Sequence, residues 1–359
     1  MIPGPVEVHP DVLKAMGAPV EPHYGDVWVQ KYQHVLDMLK EIFKTNGDVF
    51  LLVGSGTCAI DASMGSCLQS GERILIANNG FFGDRLVSIA ERNGLEVVQI
   101  KTDWGKAVDP QQIDAALEND ASIKAVAVVH GETSTTVLNP IQDIGPLVRE
   151  RGALFLVDAV SSLGGVPFEM DDWCIDVCAT ATQKCLGAPP GLAPIALNER
   201  AWQIIDRLDR GTHGWYGDLR IWRQYAQDWG SWHPSPITMA TNNVNALLVS
   251  LSQLMEEGIP VRMERYRKLA MQLRTGLREA GFPPFTSDDM MNPVLTAGVM
   301  PEGHDSANIV KYLLDEYAIQ ISGGLGTLKP KMFRIGHMSP IMTEADIQLV
   351  VDALKMYQG

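Results

Sequence analysis

Two apolar runs each end in a side chain that could do chemistry. Phe155-Leu156-Val157-Asp158-Ala159-Val160 delivers a carboxylate, Asp158, and Ala179-Thr180-Ala181-Thr182-Gln183-Lys184-Cys185-Leu186-Gly187 delivers an amine, Lys184. Parallel α/β sheets gather their working groups at the carboxyl ends of strands. An acid and a lysine on neighbouring strand ends suit pyridoxal 5'-phosphate (PLP), which needs a lysine for its Schiff base and an acid for its pyridinium nitrogen. A surface lysine and a helix-capping aspartate would read the same way in isolation, so the surroundings decide.

Gly54-Ser55-Gly56-Thr57 follows an apolar run and opens a helix. Free backbone N–H groups, the helix dipole and two hydroxyls make that turn a phosphate site. Gly54, Gly56 and Ala59 also fit the G-x-G-x-x-A dinucleotide fingerprint, the basis of an alternative reading as an NAD-dependent oxidoreductase. That fingerprint needs an acid at the end of the second strand to hold a ribose, and Asn78-Asn79 stand there instead. No Gly-Lys-Ser/Thr is present, which removes a nucleotide P-loop. Phe82, read as lying in the loop after the second strand, is placed to stack on a planar ring. His130-Gly131-Glu132-Thr133-Ser134-Thr135-Thr136 is a hydroxyl-rich strand end, though such clusters also cap ordinary turns. Arg334 sits inside a strand-like run, where its guanidinium needs a partner; a substrate carboxylate and a structural acid are both candidates.

The elements that must position these groups alternate. An N-terminal arm, residues 1–26, carries a short helix over Pro10–Met16, and a helix from Val27 to Lys44 follows. Strands are expected at Val49–Val53, Arg73–Ala77, Glu96–Ile100, Ala125–His130, Ala153–Val157, Val177–Ala181 and Ala193–Leu197, with helices between most of them. That pattern predicts an α/β fold with a mainly parallel seven-stranded sheet covered on both faces. After Trp215–Trp232 comes a long helical region, 241–280, bent at Gly258-Ile259-Pro260. Strand Pro293–Met300, helix Asp305–Glu316, strands Ile319–Ser322 and Met332–Ile335 and helix Thr343–Tyr357 complete a small α+β domain. The expected division is therefore arm 1–26, large domain 27–240 and small domain 241–359.

Composition narrows the function classes. Of 359 residues, 46% are hydrophobic and 20% charged, which suits a globular protein with a sizeable core. The formal net charge of −14 argues against nucleic acid or an anionic membrane as the main partner. No apolar run reaches the roughly 18 residues needed to span a bilayer, and the start has no signal-peptide pattern; the expected location is the cytoplasm. Five cysteines fit reduced thiols, and no histidine or second cysteine pair completes a zinc site around Cys174 and Cys178, so no metal is expected.

In this order these motifs resemble the class V branch of the fold-type I PLP enzymes, particularly the alanine–glyoxylate and serine–pyruvate aminotransferases. The resemblance spans nearly the whole chain, from Pro3-Gly4-Pro5 through Asn79-Gly80-Phe81-Phe82-Gly83 and Val157-Asp158-Ala159-Val160-Ser161-Ser162-Leu163-Gly164-Gly165 to Arg334-Ile335-Gly336. It implies that Lys184 attaches the cofactor and then shuttles a proton, while Asp158 keeps the pyridine nitrogen protonated. It implies that Ser55, Gly56, Thr57 and Gln183 hold the phosphate, that Phe82 and Val160 sandwich the ring, that Thr133 lies near the ring hydroxyl and that Arg334 clamps the substrate carboxylate. Such enzymes are homodimers with shared active sites; Trp232 and Ser235 fall where a tyrosine and a threonine reach across to the partner's phosphate.

The activity implied is ping-pong transamination between a small 2-amino acid, alanine or serine, and a 2-oxo acid, glyoxylate or pyruvate. Pyridoxamine–pyruvate and ureidoglycine–glyoxylate aminotransferases are similar enough to stand as alternatives. A cysteine desulfurase is rejected, because Ser322–Lys331 holds no cysteine and Gln183, not histidine, precedes Lys184.

Overall fold

The computed structural model describes residues 1–208 and 214–358. The chain opens with α1 (Pro10–Met16), α2 (Asp26–Phe43) and β1 (Asp48–Gly54), then α3 (Gly56–Cys67), β2 (Arg73–Asn78), α4 (Phe81–Arg92) and β3 (Glu96–Lys101). It continues with α5 (Pro110–Asn119), β4 (Ile123–Val129), a small hairpin of β5 (Gly131–Glu132) and β6 (Val137–Leu138), α6 (Ile141–Glu150) and β7 (Leu154–Asp158). Next come β8 (Val177–Ala179), β9 (Gly191–Leu197), α7 (Glu199–Ile205), α8 (Leu219–Asp228), α9 (Thr241–Glu257) and α10 (Ile259–Glu279). The last elements are β10 (Leu295–Val299), α11 (Ser306–Tyr317), β11 (Ser322–Gly323), β12 (Met332–Gly336) and α12 (Glu344–Lys355).

The continuous apolar runs form one seven-stranded sheet in the order β1-β9-β8-β7-β4-β2-β3. β9 alone runs against its neighbours; the other pairings are parallel. Ala125–Val129 of β4 and Leu154–Val157 of β7 are apolar throughout because helices cover both faces. One face packs on α2, α5, α6 and α9, the other on α3, α4, α7 and α8. The shared direction of β1, β2, β4, β7 and β8 brings their last residues, Gly54, Asn78, Val129, Asp158 and Ala179, to one end of the sheet, where a doubly covered parallel sheet leaves its groups accessible.

A three-stranded antiparallel sheet, β10-β12-β11, builds the second core with α10, α11 and α12. The bend expected near Gly258 is a full break: Gly258 has φ +89°, in the left-handed region that favours glycine, and Pro260 follows at the start of α10. α9 shares its core with the seven-stranded sheet and α10 with the three-stranded one. The two cores thus change over near the start of α10. The strand expected over Ile319–Ser322 shrinks to Ser322–Gly323: Ile319 and Ile321 are buried, but only the later residues pair with β12. α8 has no counterpart in the sequence reading.

The N-terminal arm is clamped between the cores. Val6 donates its N–H to Gln183 O (3.0 Å) and Gly336 donates to Met1 O (2.9 Å). Among the described residues no helix is long and apolar enough to cross a membrane.

Candidate active site

Asp158 is the last residue of β7 and pairs with Ala179 at the end of the adjacent β8. Beyond Ala179 the chain turns back, held by the Thr182 hydroxyl donating to Pro189 O (2.6 Å) and by Gly187 N–H donating to Lys184 O (2.9 Å). This turn carries Lys184 to the same end of the sheet, and both residues line one cavity of about 270 Å³. Ser55, Gly56, Thr57, Phe82, Val160 and Gln183 line it too.

Electrostatics tune the pair toward each other. Burial pushes the Asp158 carboxyl up to about 6, opposed by the Val160 N–H and by the cations Arg85 and Lys184. That N–H donates to Asp158 Oδ1 at 2.9 Å. Burial lowers the Lys184 amine to about 8; Arg334 lowers it further, while Cys185 and Asp158 favour its charge. The Lys184 ammonium donates to the backbone carbonyl of Pro3. Gly4 presses against the lysine stem: a Cβ built there would lie 2.7 Å from Lys184 Cδ.

The start of α3 meets the cavity without a side-chain cap, since the Ser55 hydroxyl at the N-cap makes no hydrogen bond to the helix. Its first N–H groups are therefore available to an anion. Gly56 allows the helix to come close to the β7 edge, because a Cβ there would sit 2.5 Å from Val160 Cγ2. The cavity thus offers a donor-rich helix start, a slot bounded by Phe82 and Val160, a buried acid and an amine. A molecule with an anionic arm, a flat ring, a basic ring nitrogen and a carbonyl meets a partner at each of these points, which is the chemistry of PLP.

Phe82 corrects one expectation: it lies in the first turn of α4, not in a loop. Arg85, one turn further on, was missed by the sequence reading. It lines the cavity, with its guanidinium carbon 4.8 Å from the Phe82 ring centre. The i, i+3 spacing from Phe82 was the available signal.

Four expected residues lie outside the cavity lining. The Thr133 hydroxyl pairs with Ser161 Oγ (2.6 Å), and its carbonyl accepts from Arg334 Nη1 (3.0 Å). Arg334 is buried in β12, donates also to Gly323 O (2.9 Å) and has no carboxylate ion pair among the described residues. Burial lowers its guanidinium to about 10, while the charge of Glu132 favours its cation. Trp232 is half-exposed in an aromatic cluster with Tyr24 and Trp229, at ring-centre distances of 5.6 and 5.8 Å. Ser235 is fully buried, and its hydroxyl donates to Ile237 O (3.1 Å) within its own loop. Among the described residues no three His, Cys, Asp or Glu side chains converge on a metal position.

The family profile Aminotransferase class-V matches residues 20–350. An aminotransferase of Methanocaldococcus jannaschii is 38% identical over 338 residues, covering 94% of this chain and 87% of that protein. The (S)-ureidoglycine–glyoxylate transaminase of Bacillus subtilis is 33% identical over 374 residues, covering 99% of this chain and 89% of its own. The crystal structure of an alanine–glyoxylate aminotransferase from Nostoc sp. superposes with a TM-score of 0.93 at 31% identity, covering 99% of this chain and 93% of that one.

Proposed function

The chain belongs to the class V aminotransferases, and on that premise we propose that it moves an amino group from alanine or serine to glyoxylate or pyruvate in a ping-pong cycle, with PLP as cofactor. The observation that carries the reading is the single cavity lined by both Asp158 and Lys184 beneath an uncapped helix start. Relatives that act on glyoxylate support the acceptor.

When bound, PLP supplies the electron sink that stabilises negative charge at the substrate Cα. The protein's own groups do the rest. The Gly56 and Thr57 N–H groups, the Ser55 and Thr57 hydroxyls and the Gln183 amide hold the phosphate. Phe82 and Val160 confine the ring between them. Asp158 as a carboxylate keeps a proton on the ring nitrogen. Lys184, with its amine brought down to about 8, can take a proton from the substrate Cα near neutral pH and return it. Arg334, whose Nε and Nη1 donate to carbonyls and which has no carboxylate partner among the described residues, receives the substrate carboxylate through its remaining N–H groups. Thr133 serves the site through the carbonyl that steadies Arg334. In a homodimer, Trp232 is the residue with the exposure to reach the neighbouring site, whereas Ser235 is turned into its own loop.

The test is an absorbance spectrum of the protein loaded with PLP, recorded with L-alanine, L-serine or pyridoxamine in separate cuvettes. A visible band that fades with an amino acid and returns with glyoxylate or pyruvate supports the reading and ranks the donors. A response to pyridoxamine plus pyruvate alone moves the protein to vitamer transamination. A protein that stays colourless with PLP, and that Lys184→Ala does not change, overturns the reading.

A further inference from the structure

α4 presents Phe82 and Arg85 to the cavity, yet its N-cap is Gly80, which has no side chain to cap the helix; the nearby Asn78 accepts the Gly80 N–H (3.1 Å) and donates to the Asp84 side chain (2.7 Å). The first N–H groups are met from the hairpin that follows β4. Phe81 N–H donates to Ser134 Oγ (2.9 Å), and Phe82 and Gly83 N–H both donate to Glu132 Oε2 (3.1 Å each). The other carboxyl oxygen, Oε1, accepts the Ser134 N–H (2.9 Å) and the Ser134 hydroxyl. Glu132 is completely buried. It lies so close under the helix start that a Cβ on Gly80 would sit 2.4 Å from its Cδ. A carboxylate at this place also faces the positive end of the helix dipole.

One carboxyl oxygen is thus spent on the turn that carries Phe82 and the other on Ser134, whose hydroxyl oxygen accepts the Phe81 N–H, and neither is free for substrate. A buried acid bonded to a helix start holds in place what that start carries. Here that is the wall of the cavity against which a flat ring lies. The neighbouring Thr133 carbonyl steadies Arg334, so one hairpin turn supports two sides of the site.

We propose that Glu132 is a positioning residue, a helix cap borrowed from across the sheet edge that fixes Phe82 for stacking on the cofactor. The proposal rests on the reading of the cavity as a PLP site. Glu132 acts through the backbone of Phe82, so its effect on cofactor binding must depend on the ring at position 82.

The test is a double-mutant cycle read as the Kd of PLP for cofactor-stripped protein, with Glu132→Gln and Phe82→Leu made singly and together. Glu132→Gln replaces an acceptor with a donor on one side of the cap. In the parent protein it is expected to weaken PLP binding at least tenfold; in the Phe82→Leu background it should cost less than twofold more. Loss of the same size in both backgrounds would show that Glu132 serves only the general fold, and an unchanged Kd would show that it serves nothing here; either result overturns the proposal. Should Glu132→Gln fail to fold by circular dichroism, Ser134→Ala goes through the same cycle. A loss of about threefold that vanishes with Phe82→Leu supports the proposal, and any other outcome overturns it. The parent protein is the control for the underlying reading: if it takes up no PLP, the functional assignment fails before the cycle begins.

Discussion

The Lys184 ammonium donates to the backbone carbonyl of Pro3, so the reactive amine is held by the N-terminal arm and not by Asp158. Gly4 makes this possible. It has φ +106°, and a Cβ there would meet the lysine stem at 2.7 Å. Gly4→Ala therefore combines backbone strain of roughly 1–3 kcal/mol with displacement of the lysine. The rate of PLP capture by stripped protein, followed as growth of the visible band, should fall at least about tenfold, the equivalent of ~1.4 kcal/mol. Capture at the parent rate would show that the arm does not hold the amine.

The pH dependence of that capture follows from the Lys184 amine being brought down to about 8. Only the neutral amine attacks a carbonyl. Its fraction rises as pH increases through the folded pKa, so the rate should grow about tenfold between pH 7 and 9 and level off above that. A lysine at its ordinary value would give about a hundredfold rise over the same interval and no plateau. Stopped-flow absorbance across pH 6.5–10 separates the two.

Arg334→Lys keeps the charge and loses the planar fork. A hydrogen bond to a charged group contributes about 1.5–3 kcal/mol, so KM for the amino acid should rise about 10- to 100-fold, with a smaller change in kcat. Steady-state kinetics check this. An unchanged KM would remove Arg334 from carboxylate binding.

His337 gives a stability prediction remote from the chemistry. It is buried, with Nε2 3.1 Å from Thr296 Oγ1; burial, helped by Arg274, lowers it to about 3. The unfolded chain takes up this proton near pH 6.5 and the folded protein resists until about 3. Between those values the unfolded state binds more protons, so stability falls as pH drops through that window. Going from pH 7.5 to 5.5, this one group should cost about 1.4 kcal/mol. His337→Gln should lose that much less across the same two pH values in urea unfolding; equal losses would mean that the histidine charges without penalty in the fold.

What was legible in the sequence was local. Val49–Val53 and Ala125–Val129 are apolar on every residue because both faces of their sheet are covered, so length and apolarity alone marked them as strands. Asp158, Lys184 and the Gly54-Ser55-Gly56-Thr57 turn were legible because chemistry restricts residue type at strand ends. Phe82 was misplaced because Gly80 and Gly83 look like a turn, while the group that makes the turn helical, Glu132, lies across the sheet edge and is invisible to any local pattern. α8 was missed although Leu219, Trp222 and Ala226 mark one face at i, i+3 and i+7; the tryptophans of Trp215–Trp232 were read as an aromatic stretch and that period was passed over. Thr133 was placed near the ring hydroxyl by resemblance alone; no local pattern could have told that its carbonyl accepts from Arg334 and its hydroxyl pairs with Ser161.

The bond from Gly336 N–H to Met1 O also bears on synthesis. A chain leaving the ribosome N-terminus first must carry Met1 unpaired until β12 has emerged, although Val6 and Pro3 can meet Gln183 and Lys184 earlier. At about 5–20 residues per second, that interval is roughly 15–70 s. The seven-stranded sheet can be complete well before then, with its parallel core formed. The seam between arm and β12 is thus among the last to be stitched. A message cut short before residue 332 would yield a protein with Asp158 and Lys184 in place, but with neither the strand that anchors the arm nor Arg334.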